Sequence, residues 1–341
     1  MTSTLQTTAD ASPEVSSAAS PLQLIYGPIL KDLPEVERIL HREMRSDDPY
    51  VDEMVRYGCL LGGKRLRPAL LLLAARACGE VRPEHYTLGA VVEMIHTATL
   101  IHDDILDGAS TRRNLATVNS RWDNKASVLL GDFLFTHAFY LASTLETTWA
   151  CRVIGRATNV VCEGELRQNG SCGDFQMSEE KYLSVIDAKT AALCACSSQL
   201  GAYFAGADAS LVEDLEAYGR EVGVAFQIAD DLLDVLGKEE ETGKSLGTDL
   251  DQLKPTLPLI RVLQCLQGTE KAEFVSLLEN QPENRQEIVA PYLERFEALE
   301  YTRRTAQRYA AKAASRLERL PQSPALDSLR LIAEFVTVRS A

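Results

Sequence analysis

The sequence carries one acidic signature twice: Asp103-Asp104-Ile105-Leu106-Asp107 and Asp230-Asp231-Leu232-Leu233-Asp234 each end a mostly apolar run. In both runs apolar residues recur three and four apart, which predicts helices. On the first, His96, Leu100, Asp103 and Asp107 share one stripe, with Asp104 just beside it. On the second, Gln227 lies one turn before Asp231. Clustered carboxylates that face inward repel one another and lose solvation, so the pattern calls for a cation. Oxygen-only ligands favour a hard ion such as Mg²⁺, which takes one or two protein carboxylates and fills its shell with water and substrate phosphates. A single copy is compatible with a solvated acidic face. Two copies facing each other across a cavity suit a diphosphate that has to become a leaving group.

A second constellation is basic. Gly62-Gly63-Lys64-Arg65-Leu66-Arg67-Pro68 joins two glycines, three cations and a helix-starting proline ahead of the apolar run from Ala69 to Ala75. Such a stretch is unremarkable as a surface turn, but beside a helix N-terminus its cations make an anion site. Arg112-Arg113 follows the first acidic signature by five residues. Lys189-Thr190 lies in an Ala-, Cys- and Ser-rich helix expected over residues 188–198, where a lysine needs an anionic partner. The net charge of −14 excludes an extended nucleic-acid surface.

With 341 residues, 45% of them hydrophobic and 25% charged, the chain can bury a large core. Residues 1–20, rich in Ser, Thr and Ala, are expected to form a disordered tail. They hold Asp10 and Glu14 and no Lys or Arg, unlike a transit peptide. Residues 21–341 contain no Pro/Gly/Ser-rich linker and no convincing strand, so one all-α domain is expected. It should be a bundle of about ten to fourteen mostly antiparallel helices around a central cavity. Ser178-Glu179-Glu180 has the residues of a helix start, and residues 292–320 read as one amphipathic helix. The eight cysteines show no C-x-x-C pair and no His at zinc-ligand spacing. They read as small buried hydrophobes of a cytoplasmic protein. No apolar run reaches the roughly eighteen residues of a membrane span.

The ordered set resembles the trans-isoprenyl diphosphate synthases of the polyprenyl synthetase family, most closely the long-chain octaprenyl and solanesyl members. It comprises Gly62 to Pro68, His96 to Asp107, Arg112-Arg113, Gly131-Asp132-Phe133, Lys189-Thr190, Phe226 to Asp234, Thr242-Gly243-Lys244, and Asp249 to Pro258 with Lys254 inside. The resemblance implies an isoprenoid-synthase bundle, a homodimer, and Mg²⁺-dependent transfer of an allylic group onto isopentenyl diphosphate. It implies Mg²⁺ on Asp103, Asp107 and Asp230, with Asp104, Asp231 and Lys189 completing the catalytic set. Isopentenyl diphosphate is then expected on Lys64, Arg67, His96 and Arg113, and the allylic diphosphate on Arg112, Lys189, Thr190, Gln227, Lys244 and Lys254. Family members usually have Gly where this chain has Asn114, a residue that tolerates left-handed backbone.

By the same resemblance, product length depends on the floor of an apolar tunnel beneath the acids. Short-chain members often carry an aromatic four or five residues before the first aspartate. Here those positions are Thr99 and Ala98, with Met94 below them. Small residues there imply a product of about thirty to fifty carbons, octaprenyl at the centre, made for a lipid such as a quinone and released by peripheral contact with a membrane. A geranylgeranyl diphosphate synthase and a non-catalytic subunit of a heteromeric synthase remain open. The basic stretch weighs against a terpene cyclase or squalene synthase, and two intact acidic signatures weigh against the subunit.

Overall fold

The structure, a computed structural model, describes residues 21–60, 63–236, 247–280 and 282–338. The expected tail over residues 1–20 and the expected diphosphate contact Lys244 lie outside the described residues. Thirteen α-helices of nine residues or more occur among the described residues, within the expected range.

At the centre is α4 (Leu66–Cys78), whose residues Ala69 to Ala75 are completely buried. A helix that is apolar all round has no solvent face and becomes the axis of a core. Around it pack α5 (Pro83–Leu106), α10 (Ala192–Phe204) and the last helix, Pro324–Val338. The stripe Leu88, Val91, Val92, Ile95 and Ala98 on α5 is fully buried, as its spacing requires. On the outer flank α5 is covered by α7 (Asn124–Ser143), and α7 touches α8 (Trp149–Asn169). The long α11 (Ala209–Leu236) lies between α10 and the helix Ala298–Ser315. A smaller apolar cluster, including Leu259, Leu263, Phe274, Leu278 and Leu293, stands behind the end of α11. Buried Arg285 ties that cluster to the site: its Nε donates to the Leu278 carbonyl at 2.8 Å and its Nη1 to the Asp251 carbonyl at 2.7 Å.

Several expectations need correction. A two-residue antiparallel hairpin, Thr111–Arg112 with Leu115–Ala116, interrupts the all-helical pattern. It is too short for alternation to show in sequence. The amphipathic stretch 292–320 is not one helix, because the chain breaks between Arg285–Arg295 and Ala298–Ser315, with Glu297 left-handed at φ 49°. Of the cysteines, Cys194 and Cys196 are buried, whereas Cys162 and Cys172 are exposed. Finally, α7, at 20 residues with a mean hydropathy of 1.2, is long and apolar enough to cross a membrane by length and composition alone. Its scattered polar residues hid that average from a search for unbroken apolar runs.

Candidate active site

The C-terminal ends of α5 and α11 open onto one cavity of about 1480 Å³, larger than the ~300–1,000 Å³ of ordinary small-molecule sites. Both acidic signatures therefore sit where a helix dipole is already negative, which adds to their mutual repulsion. Asp103, Asp107, Asp230, Asp231 and Asp234 all line the cavity.

On α5, burial pushes the Asp103 carboxyl up to about 6, against the pull of the Lys189 ammonium. Asp107 receives the Lys254 ammonium at 2.8 Å, and its carbonyl accepts from Gln252 at 3.3 Å. Asp104 departs from the expectation. It is 1% exposed and turned off the cavity wall, where its Oδ1 holds Arg112 Nε at 2.7 Å. One residue is about 100° of helix, enough to move a side chain from the cavity face to a packed one. Arg112 lines the cavity while anchored in this way.

Lys189 and Thr190 do not continue an α-helix. Between α9 (Glu179–Ile186) and α10 the chain makes a π-helical segment, Asp187–Ala191, that turns both residues into the cavity. Gly164 of α8 makes room for it, since a Cβ there would lie 2.5 Å from Lys189 N. Lys189 pairs with Glu165 at 2.7 Å and donates to Gln168 Oε1 at 2.7 Å. Glu165 was not singled out in sequence, because a lone glutamate on a polar helix carries no pattern.

On α11, Asp231 is 5% exposed. Its Oδ2 accepts from the Tyr182 hydroxyl at 2.6 Å and its Oδ1 from Gln227 Nε2 at 2.8 Å. Thr190 donates to Gln227 Oε1 at 2.7 Å. Asp234 accepts from the backbone N–H of Asp249 at 3.2 Å. Burial, followed by the charge of Asp234, lifts the carboxyl of Asp249 to about 6. Asp249 thus joins the acidic wall, and Tyr182 joins it from α9 as a residue no motif announced.

Across the cavity, Lys64, Arg67, His96 and Arg113 come together. Arg65, left-handed at φ 53°, opens α4 and buries its guanidinium between Glu37 at 2.6 Å and Glu93 at 2.8 Å. Lys64 and Arg67, one residue before and two residues after it, also line the cavity. The Tyr26 hydroxyl donates to the Lys64 carbonyl at 2.5 Å. Arg113 and Asn114 form the hairpin turn with φ of 53° and 62°, the two positive angles of a tight primed turn. Asn114 thus adopts the left-handed backbone expected of it. The Arg113 guanidinium covers Gly63, where a Cβ would come within 2.2 Å of it. Burial, then the guanidiniums of Arg67 and Arg113, keep the His96 imidazole neutral, well below its usual range. Arg67 Nε is buried without a hydrogen-bond partner among the described residues. Crowded cations with an unused donor need an anion.

Of the three floor residues, Thr99 lines the cavity, beside Phe135 and Val161. Ala98 and Met94 are wholly buried in the main core and are not part of its wall. The difference is again one step of helix, with Ala98 turned into the packing.

No three acidic, His or Cys side chains among the described residues converge as a closed cage. That suits an ion held by one or two carboxylates and completed by substrate phosphates. Asp103 and Asp107, both at the cavity wall at the end of α5, are carboxylates that such an ion would meet there.

Residues 48–294 match the polyprenyl synthetase family. Octaprenyl diphosphate synthase of Escherichia coli (strain K12) is 38% identical over 313 residues, 91% of this chain and 96% of that protein. A decaprenyl diphosphate synthase from Rhodobacter capsulatus superposes with a TM-score of 0.89 at 36% identity, covering 94% of this chain and 100% of the other. A polyprenyl synthase from Caulobacter crescentus CB15, solved with calcium and isoprenyl diphosphate, gives a TM-score of 0.89 at 36% identity over 94% and 98% of the two chains. With two acidic helix ends, a basic pocket and an apolar wall around one cavity, the chain belongs to the polyprenyl synthetase family.

Proposed function

We propose that the protein is a trans-polyprenyl diphosphate synthase that condenses isopentenyl diphosphate with an allylic diphosphate to a long all-trans product, octaprenyl in length class. The observation that carries this reading is the pairing of two acidic helix ends with a separate, cation-crowded pocket in the same cavity. One diphosphate goes to each. The relatives above, named octaprenyl and decaprenyl diphosphate synthases, support the long product.

Asp103, Asp107 and Asp230 would hold Mg²⁺. Bound there, it would supply Lewis-acid charge that eases departure of the allylic diphosphate. Lys189, Arg112 and Lys254 hold that diphosphate from the protein side. Its C–O bond breaks, the electron pair leaves with the pyrophosphate, and an allylic cation remains. Thr190 and Gln227 present oxygen dipoles to the developing charge. Lys64, Arg67, His96 and Arg113 fix isopentenyl diphosphate so that its double bond attacks the cation, which makes positioning a large part of the rate. The released pyrophosphate accepts the proton lost from the new chain. The growing chain runs along Thr99, Phe135 and Val161.

We further propose that residues 21–341 act as one domain in a homodimer. The apolar α7 leaves Val128, Leu129 and Tyr140 exposed, a face suited to a second copy. A cytoplasmic enzyme that releases its product at a membrane surface fits this reading. Light scattering of the purified protein tests the dimer, and a monomer at micromolar concentration would refute it.

The activity is tested by incubating the protein with Mg²⁺, radiolabelled isopentenyl diphosphate and farnesyl diphosphate, then sizing the dephosphorylated products. A ladder ending near octaprenol is expected. A stop at geranylgeraniol would move the tunnel floor, and no incorporation with any allylic starter would overturn the synthase.

A further inference from the structure

Four side chains from three elements of the fold form a chain of hydrogen bonds at the cavity wall. Tyr182, on α9, is 4% exposed, and its hydroxyl donates to Asp231 Oδ2 at 2.6 Å. The other oxygen of Asp231, on α11, accepts from Gln227 Nε2 at 2.8 Å. Gln227 Oε1 in turn accepts from the hydroxyl of Thr190, in the π-helical segment, at 2.7 Å. All four residues line the cavity.

The hydrogen bonds themselves set the direction of this chain. Both Asp231 oxygens accept, one from the Tyr182 hydroxyl and one from Gln227 Nε2, which leaves the Gln227 carbonyl on the Thr190 side. A free glutamine has no such preference, and its two amide orientations present opposite dipoles to a ligand.

We propose that Tyr182 and Asp231 are a positioning pair that locks the Gln227 amide with its carbonyl toward the allylic substrate. The proposal rests on the synthase reading above. It assigns the two leading aspartates of the second signature different jobs: Asp230 serves the diphosphate, and Asp231 serves the glutamine one turn before it.

The test compares Asp231→Asn, Asp231→Ala and Tyr182→Phe with Asp230→Asn as the reference for a lost ligand. Two readouts are taken: steady-state kinetics, and the Mg²⁺ concentration that half-saturates the rise in melting temperature caused by Mg²⁺ with inorganic pyrophosphate. Asn can accept from Gln227 and donate to the Tyr182 oxygen, so Asp231→Asn is expected to stay within about threefold of the parent kcat. Asp231→Ala is expected to lose roughly 10²-fold in kcat and Tyr182→Phe roughly tenfold, with KM for isopentenyl diphosphate unchanged. In all three, half-saturation by Mg²⁺ is expected to match the parent, while Asp230→Asn raises it. If Asp231→Asn raises the Mg²⁺ requirement as far as Asp230→Asn, Asp231 is a ligand and the proposal is overturned. If Asp231→Asn loses as much kcat as Asp231→Ala with Mg²⁺ unchanged, the positioning role is overturned. The thermal readout needs no turnover, so a parent protein that binds Mg²⁺ and pyrophosphate without incorporating isopentenyl diphosphate refutes the synthase reading and still decides whether Asp231 is a ligand.

Discussion

Asp104 and Asp231 occupy the same place in the same five-residue pattern, both are buried, and they are stabilised in opposite ways. Asp104 is held by a cation, with Arg112 Nε at 2.7 Å, and through it fixes the hairpin that carries the two arginines. Asp231 is held by the Tyr182 hydroxyl and the Gln227 amide, both neutral donors. The contrast teaches that the repeated signature specifies a helix end with acids on its cavity face. It does not specify the partner of the middle acid, which comes from whichever element packs there. A buried ion pair loses most when one member is removed, because the other is left as an unpaired charge. A neutral network tolerates an isostere that keeps its hydrogen bonds.

The largest effect should therefore fall on the first signature. Asp104→Ala strands the Arg112 guanidinium and is expected to cost ~3–5 kcal/mol in denaturant unfolding, well above the cost of Asp231→Asn. Equal losses at the two sites would remove the asymmetry. Next in size is Gly164→Ala, whose new methyl meets Lys189 N and would push the π-helical segment out of place. A shift of about 1 Å there is expected to reduce kcat by roughly 10²-fold, with farnesyl diphosphate as starter. Wild-type kinetics would show that the segment yields without harm.

The floor offers a sharper comparison between adjacent positions of one helix. Thr99→Phe, on the cavity wall, is expected to shorten the product with little loss of stability. Ala98→Phe overfills the core and should lower stability by about 1–3 kcal/mol. Shorter chains from Ala98→Phe and unchanged chains from Thr99→Phe would reverse the assignment. The smallest effect concerns protons. Burial raises Asp103 to about 6 from an ordinary 3.8, so the folded state holds that proton more tightly than the unfolded one. The stability this contributes is full below the unfolded value and is lost as pH rises through about 6. The stability of the metal-free protein relative to Asp103→Asn should accordingly fall between pH ~4 and ~6, and a flat difference would refute the burial of that carboxyl.

Much of the site was legible because helical periodicity is written into the chain. The stripe that puts Asp103 and Asp107 on one face of α5 needs only 3.6 residues per turn. The cations of the basic stretch were legible from residue type, and Asn114 from its tolerance of left-handed backbone. The misreadings have one physical origin. Periodicity gives the angle between residues on a helix, whereas the direction of the cavity is set by neighbouring helices. Hence Ala98 was taken for floor, and Asp104 for a cavity residue when it serves Arg112. Other features had no pattern to find: a two-residue hairpin, a π-helical segment, and Glu165 and Tyr182, each a lone polar residue whose partner is distant in sequence.

By itself, then, the sequence determined the helical class, the two acidic helix ends, the basic pocket and hence the family, because these depend on residue type and local spacing. Only the tertiary structure decided which acid meets a cation and which meets a tyrosine, where the tunnel wall runs, and how Lys189 and Thr190 are turned inward. Those are contacts between elements far apart in the chain, and close packing, not local propensity, selects them.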